Sequence, residues 1–77
     1  MAIRAYVLIE AEVGTMERVG SWLANLPAVE TCDLVTGPYD VIAVVTAADM
    51  ASVGELITVG IHQIHGVVRT TTCLSTG

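Results

Sequence analysis

The first strand-like stretch of the chain, Ile3 to Glu10, alternates two sets of residues, and both sets are largely apolar. One set is Ile3, Ala5, Val7 and Ile9, and the other contains Tyr6 and Leu8. A strand that is apolar on both faces is typically covered on both sides. The stretch Val41 to Thr46 has the same character, so the sequence predicts two central strands of this kind.

Helical spacing follows the first strand. A helix is predicted to open at Gly14 and to end near Asn25 or Leu26, because the residue before Pro27 disfavours helical backbone angles. Its apolar stripe is Met16, Val19, Leu23 and Leu26. Trp22 lies beside this stripe and is expected at its edge or in a contact.

A second helix is predicted after the third strand. Asp49 is a candidate N-cap, since its carboxylate can accept a hydrogen bond from an orphan backbone N–H. The expected buried stripe is Met50, Val53, Ile57, Ile61 and Ile64. The pair His65-Gly66 is expected to end the helix.

The remaining strands are predicted at Val29 to Thr36 and at Val67 to Ser75, which is rich in β-branched residues. The order βαββαβ is that of the ferredoxin-like α+β fold, a four-stranded antiparallel sheet with both helices on one face. The other face has no helix to cover it. Because a large exposed apolar face marks an interface, we expect a dimer with the sheets face to face.

Composition supports this expectation. The 77 residues make one domain, 1–77, with a small core of its own, yet 53% are hydrophobic and only 14% charged. So much apolar content is difficult to bury within one copy of a small domain, which again favours burial against a second copy.

Charge and segment composition limit the partners. Three arginines, no lysine and eight acidic residues give a net charge of −5, so direct binding of DNA or RNA is not expected. No apolar run approaches the roughly 18 residues of a membrane span, and no signal peptide is visible, which favours a cytoplasmic protein. In that compartment, Cys32 and Cys73 are expected to be buried, reduced thiols rather than a disulfide.

A Gly37-Pro38 turn followed by Tyr39 and Asp40 separates two apolar runs. Gly supplies a positive φ and Pro fixes the next φ, which is all that a hairpin turn needs. A carboxylate at the mouth of a strand is costly unless it is solvated or paired. The segment is therefore either a capped hairpin turn or a small ligand-binding loop.

Three stretches together resemble a known family. They are the strand Ala5-Tyr-Val-Leu-Ile9, the turn Val35-Thr-Gly-Pro-Tyr-Asp40 and the ending Gly66-Val-Val-Arg-Thr-Thr-Thr72. They are similar to the effector domain of Lrp/AsnC transcription regulators, also called the RAM domain, and the resemblance covers essentially the whole chain. Because the chain starts at the first strand of that domain, the resemblance implies a stand-alone RAM protein without a helix-turn-helix domain.

The resemblance also implies partners and a site. Family members form sheet-to-sheet dimers that assemble further, commonly into octamers, and bind amino-acid effectors between dimers without a cofactor. Assembly with a full-length regulator of the family is a further expectation. Carried over by motif, the ligand-binding residues are Gly37, Tyr39, Asp40, Thr70, Thr72, Cys73 and Leu74, with Leu34 and Met50 nearby.

These residue types suit a free amino acid. Asp40 can accept from the ammonium, while backbone N–H groups of the turn and the hydroxyls of Thr70 to Thr72 can donate to the carboxylate. The apolar neighbours favour an uncharged effector side chain, although Arg69 is within conceivable reach of a charged one. Each residue also has a simpler interpretation: Asp40 as a turn cap, Tyr39 as interface packing and the threonines as ordinary strand residues.

No catalytic constellation is visible, and the expected function is non-enzymatic. His62 and His65 stand near a helix end without a third metal ligand, so we expect them to be solvated rather than metal-bound. Two alternatives remain open. A small dimeric α+β barrel enzyme would need a polar cavity with an acid–base group, and an ACT-like regulatory module would dimerise through sheet edges.

Overall fold

The computed structural model describes residues 2–76 and has the predicted βαββαβ order, with the second helical region divided in two. The elements are β1 (Ile3–Ala11), α1 (Met16–Ala24), β2 (Val29–Leu34), β3 (Val41–Ala47), α2 (Met50–Glu55), a π-helix (Leu56–Ile61) and β4 (Val67–Leu74). The strand and helix boundaries lie within two residues of the predicted ones, except at the end of the second helical region.

The four strands form one antiparallel sheet in the order β2-β3-β1-β4. The helices cover one face of it, so the ferredoxin-like α+β prediction is confirmed. The core lies between sheet and helices and contains Ala5, Val7, Ile9, Val19, Leu23, Val41, Ala43, Val45, Val53, Ile61 and Ile64.

The opposite side of the sheet, called the open face below, is made by the alternate residues of the same strands. Its central members are Tyr6, Leu8, Ile42 and Val44, which are paired across β1 and β3. Tyr6 is 39% exposed and the other three are half-buried. The apolar open face that the alternation predicts is therefore present in the subunit.

Helix α1 packs closely on β2 through Gly20. This glycine is buried, and a Cβ placed on it would lie 2.9 Å from Leu34 Cδ2. Val19 and Leu23 of the predicted stripe are fully buried beneath the helix, whereas Trp22 is 59% exposed. The prediction that Trp22 lies beside the buried stripe is confirmed.

The second helical region begins as predicted and then changes its winding. Asp49 caps α2, because its Oδ1 accepts from the Ser52 backbone N–H at 2.8 Å. Beyond Glu55 the chain widens into the π-helix, in which the His62 N–H donates to the Ile57 carbonyl five residues back, at 2.8 Å. The apolar residues Val53, Ile57 and Ile61 are spaced four apart, which is more than the 3.6 residues of an α-helical turn. A wider turn therefore keeps them on one face of the helix.

Two details of the predicted second helix are wrong. Met50 is 53% exposed rather than buried, because it occupies the first position after the cap at the edge of the layer. The regular winding ends at Ile61, four residues before His65. None of the helices within residues 2–76 is long and apolar enough to cross a membrane.

Candidate functional site

The turn between β2 and β3 is closed by a hydrogen bond from the Val35 N–H to the Asp40 carbonyl, at 2.9 Å. Gly37 has a φ of 147°, and a side chain built there would meet nothing within 4 Å. The turn is exposed at Gly37 and Pro38 and half-buried at Tyr39. It therefore presents accessible backbone N–H groups beside one carboxylate.

Asp40 joins this turn to the neighbouring strand. Its Oδ2 accepts from the Ala11 N–H at 2.8 Å, and its own N–H donates to the Ile9 carbonyl at 2.9 Å. Ala11 follows an irregularity in the β1–β4 pairing between Glu10 and Ala11, so the carboxylate satisfies an N–H beside that irregularity. Asp40 thus caps β1, rather than the backbone of its own turn as the simpler interpretation expected.

The β4 candidates divide between the two faces of the sheet. Thr70, Thr72 and Leu74 pair with Ile9, Val7 and Ala5 and share the helix-covered side with these buried residues. Since β4 is an edge strand, that side is only partly covered there, and Leu74 remains 43% exposed. The three residues form a ledge along the edge of the sheet, half-buried at Thr70 and exposed at Thr72 and Leu74.

Cys73 does not belong to this ledge. It pairs with Tyr6 on the open face, because successive strand residues point to opposite sides. It is exposed in the subunit, so the expectation of a buried thiol is wrong for this residue. Cys32, by contrast, is half-buried, and desolvation, followed by the nearby Asp33 carboxylate, raises the pKa of its thiol. Both cysteines are free, on opposite faces and opposite edges of the sheet.

The two outlying candidates lie in different places. Leu34 lies on β2 against Gly20, and two strands separate it from β4, which is about 14 Å of sheet at the usual strand spacing. Met50 opens α2 directly after the end of β3 that pairs with the start of β1. Leu74 is at the same end of the sheet, since it pairs with Ala5. Within one subunit, Leu34 is therefore not a neighbour of the ledge.

The turn and the ledge are also distinct within one subunit. Asp40 adjoins Ile9 from the β3 side, and Thr70 adjoins Ile9 from the β4 side, so two strand spacings, about 10 Å, separate them. Leu74 lies a further four residues along β4, about 13 Å. The turn and the ledge are therefore two separate groups of candidates, and Cys73 and Leu34 belong to neither.

One contact at the ledge was missed by the sequence analysis. His62 Nε2 lies 2.8 Å from Thr70 Oγ1, so this histidine is not simply solvated. The sequence did contain one signal for such a contact. The connection from the end of the helix to β4 is short, so the helix end must lie near β4. Without the register of β4, the sequence did not indicate which residue His62 would meet.

The arginines that form ion pairs do so away from the ledge. Arg69 Nε lies 3.6 Å from Glu10 Oε2, and these residues are opposite each other on the open-face side of β4 and β1. Arg4 lies 3.3 Å from Glu30. The suggestion that Arg69 reaches an effector side chain is not supported by this geometry, because the register of β4 places it on the other face from the ledge.

A groove of about 420 Å³ lies elsewhere, between the end of α1 and the π-helix. It is lined mainly by Trp22, Leu26, Val59 and His65. None of the predicted site residues contributes to it. The candidate effector site and this groove are therefore separate features.

Comparison with known proteins places this geometry in context. The sequence model of the Lrp/AsnC ligand binding domain matches residues 4–76. An uncharacterized HTH-type transcriptional regulator of Pyrococcus abyssi is 32% identical over 74 residues, covering 96% of this chain and 47% of the relative. The chain thus spans about half the length of the curated relatives it matches.

Solved structures share the fold. A crystal structure of a Thermus thermophilus protein superposes with a TM-score of 0.92 at 37% identity, covering 97% of this chain and 94% of that one. The complex of a Neisseria meningitidis transcriptional regulator with L-Met has a TM-score of 0.86 at 17% identity, covering 97% and 50%. At that identity the second likeness shows the fold alone.

The strand order and the one-sided helical layer define a ferredoxin-like α+β domain. The match along nearly the whole chain shows more, and the protein belongs to the Lrp/AsnC ligand-binding domain family. The family resemblance stated from sequence is confirmed. Its relatives are named as transcriptional regulators, so the domain is of a kind used in transcription regulation.

Proposed function

We propose that this protein is a non-enzymatic, oligomeric module that binds a free amino acid between dimers and responds through its assembly. The observation that carries this proposal is the separation of two accessible groups of candidates, the turn with Asp40 and the β4 ledge, within one subunit. A second subunit that places its turn against this ledge would complete a site that one chain leaves open. We also propose that the chain forms one effector-binding domain and acts in the cytoplasm.

The open face supports the first step of assembly. An apolar surface across the two central strands is formed by Tyr6, Leu8, Ile42 and Val44, and no helix within residues 2–76 covers it. Burying such residues against a second copy stabilises the dimer by about 25 cal/mol for each Å² removed from water. We propose that two sheets pack through this face, and that dimers then associate into a ring, with an octamer as the expected form.

Recognition of the effector is proposed to use three kinds of group. Asp40 would accept from the ammonium, and its bond to Ala11 holds the carboxylate in a fixed position before the ligand arrives. Backbone N–H groups of the turn and the Thr72 hydroxyl would donate to the carboxylate. Leu74 and Met50, both exposed at one end of the sheet, would contact an uncharged side chain.

Two further observations favour a binding module over an enzyme. The buried side chains between sheet and helices in residues 2–76 are all apolar, so none of them supplies an acid–base group there. The Neisseria meningitidis relative in fold was solved with L-Met, an amino acid with an uncharged side chain. Because relatives are HTH-type regulators about twice as long, a full-length regulator is a proposed partner in mixed assemblies.

The test is a thermal-shift screen of the purified protein against the twenty amino acids, followed by calorimetric titration of each hit with Asp40 variants. Asp40→Asn keeps an oxygen that can accept from Ala11 but removes the charge, so it should bind about tenfold or more weakly while remaining folded. Asp40→Ala should lose binding too and should also be destabilised by about 1–3 kcal/mol, because the Ala11 N–H is left unsatisfied.

Normal binding by Asp40→Asn would show that the carboxylate only caps β1. If the protein is a folded oligomer and none of the twenty amino acids raises its melting temperature, the proposal that it binds an amino acid is contradicted.

A further inference from the structure

The contact between His62 and Thr70 links the end of the π-helix to the β4 ledge. The two side-chain atoms lie 2.8 Å apart, and both side chains are accessible enough for a ligand to share the contact. The His62 backbone is fixed by its N–H bond to the Ile57 carbonyl, which ends the π-helix. The fold therefore places His62 beside the ledge, and its imidazole contacts Thr70 without a ligand.

His62 is an ionisable side chain that is hydrogen-bonded to the ledge. The neighbouring elements carry other ionisable groups, but the structure directs the nearest of them elsewhere. Arg69 pairs with Glu10 on the opposite face, and His65 lines the groove beside Trp22. The other ionisable groups on these elements and beside them lie away from the contact: Arg4, Tyr6 and Cys73 on the open face, Glu55 at the end of α2, Glu12 in the exposed loop bonded to Gly66, and Asp40 bonded to Ala11.

In the neutral tautomer whose Nε2 carries no proton, the imidazole accepts from the Thr70 hydroxyl, and protonation reverses the direction of this bond. A hydroxyl has one proton to donate, and a neutral imidazole has one donor and one acceptor nitrogen. A protonated imidazole donates from both nitrogens, so Thr70 Oγ1 must then accept from Nε2. The Thr70 hydroxyl is then free to donate a hydrogen bond to a ligand carboxylate, and the charge of the imidazolium also attracts that carboxylate.

We propose that His62 is a positioning residue of the effector site: held against Thr70, it directs the threonine hydroxyl toward the carboxylate of the bound ligand. This inference rests on the proposed function and adds a residue and a regulation to it. Histidine changes its charge between pH 5 and 8. The affinity for a ligand with a free carboxylate therefore rises as the solution is acidified across that range.

The experiment measures the dissociation constant of the amino acid that binds the native protein, at about pH 8 and about pH 6. The native protein should bind about threefold to fivefold more tightly at the lower pH, as expected for a partly exposed charge-assisted contact. His62→Gln keeps a nitrogen that can donate to Thr70 but does not titrate, so it should bind with little pH dependence. His65→Gln is the matched control and should keep the native pH dependence.

A second set of variants tests the route through the threonine. Thr70→Ser retains the hydroxyl and should keep the pH dependence, whereas Thr70→Val should lose it and bind weakly at both pH values. The amide of the same amino acid, which lacks the carboxylate, should bind native protein and His62→Gln with the same pH dependence. Circular dichroism at both pH values confirms that each variant is folded.

The outcomes separate this inference from the function on which it rests. If native protein binds an amino acid but His62→Gln retains the full pH dependence, the role of His62 is overturned and amino-acid binding stands. A pH dependence lost in His65→Gln would equally overturn it. If the native protein binds none of the twenty amino acids at either pH, the proposed function fails and this inference fails with it.

Discussion

The two faces of the central strands are alike in hydrophobicity and unlike in burial. On the helix-covered face, Val7, Ile9 and Val45 are completely buried. On the open face, their sequence neighbours Tyr6, Leu8 and Val44 are also apolar but remain exposed or half-buried. Two helices suffice for one face of a four-stranded sheet. The comparison shows that the same alternating strand encodes both a core and a surface suited to a second copy.

The largest expected effect comes from truncating, one at a time, two sequence neighbours that lie on opposite faces of β1. Ile9→Ala should destabilise the subunit by about 2–5 kcal/mol, because it leaves a cavity in the core. Leu8→Ala should cost the isolated subunit much less and should instead weaken the dimer. Urea unfolding at several protein concentrations separates the two variants. The loss of stability in Leu8→Ala should shrink at low concentration, where the subunits dissociate, whereas the loss in Ile9→Ala should persist at every concentration. Equal, concentration-independent losses in both variants would contradict the difference between the faces.

Association should be broken by one charge on the open face. Val44→Glu places a carboxylate at the centre of the proposed interface, where an unpaired charge is not tolerated, and should reduce the solution mass to that of a monomer. Val59→Glu is the matched control, because Val59 is 67% exposed on the helical side. Light scattering after gel filtration measures both masses. A full-size assembly of Val44→Glu would show that subunits associate elsewhere.

The cysteines report on each face with a smaller effect. Cys32 packs against α1, with its Sγ 3.8 Å from the Gly20 carbonyl oxygen, and its raised pKa lowers the thiolate fraction. Cys73 lies on the open face. In monomeric Val44→Glu, Cys73 should therefore be alkylated faster than Cys32, whereas in the native assembly its rate should fall. Mass spectrometry of peptides after timed alkylation measures both rates, and an unchanged Cys73 rate would contradict burial of this face.

The smallest expected effect concerns Asp49, the N-cap of α2, because α2 belongs to the helical layer that covers only one face of the sheet. The bond from the Ser52 backbone N–H holds the pKa of Asp49 below its ordinary value. The resulting stabilisation is fully present above the unfolded value, about 4, and is lost as pH falls through the lower folded value. Asp49→Ala should therefore unfold at lower temperature than native protein at pH 7, and the difference should narrow in acid. A constant difference across that range would exclude the ionised cap as its cause.

Much of this fold could be predicted because it depends on patterns repeated along the chain. The alternation in β1 and β3 identified the two faces, and the stripe with Val19 and Leu23 identified the buried side of α1. The π-helix could not be predicted in the same way. An apolar spacing of four residues is compatible with an α-helix until neighbouring side chains decide the winding.

The site was less accessible to sequence reasoning. The turn around Asp40 was identified, but its bond to Ala11 depends on an irregularity in another strand, which no local pattern indicates. The division of Thr72 and Cys73 between two faces follows from the register of β4. The contact of His62 with Thr70 depends on that register as well. Such contacts join positions that become neighbours only after the sheet has formed.

The measurement that tests the account most directly is the solution mass of the native protein, by sedimentation equilibrium, with and without each stabilising amino acid. We expect a mass that is an even multiple of the 8.1 kDa chain and that changes when an amino acid binds. A monomer at all concentrations, or an assembly unchanged by every amino acid that binds, would contradict a site completed between dimers.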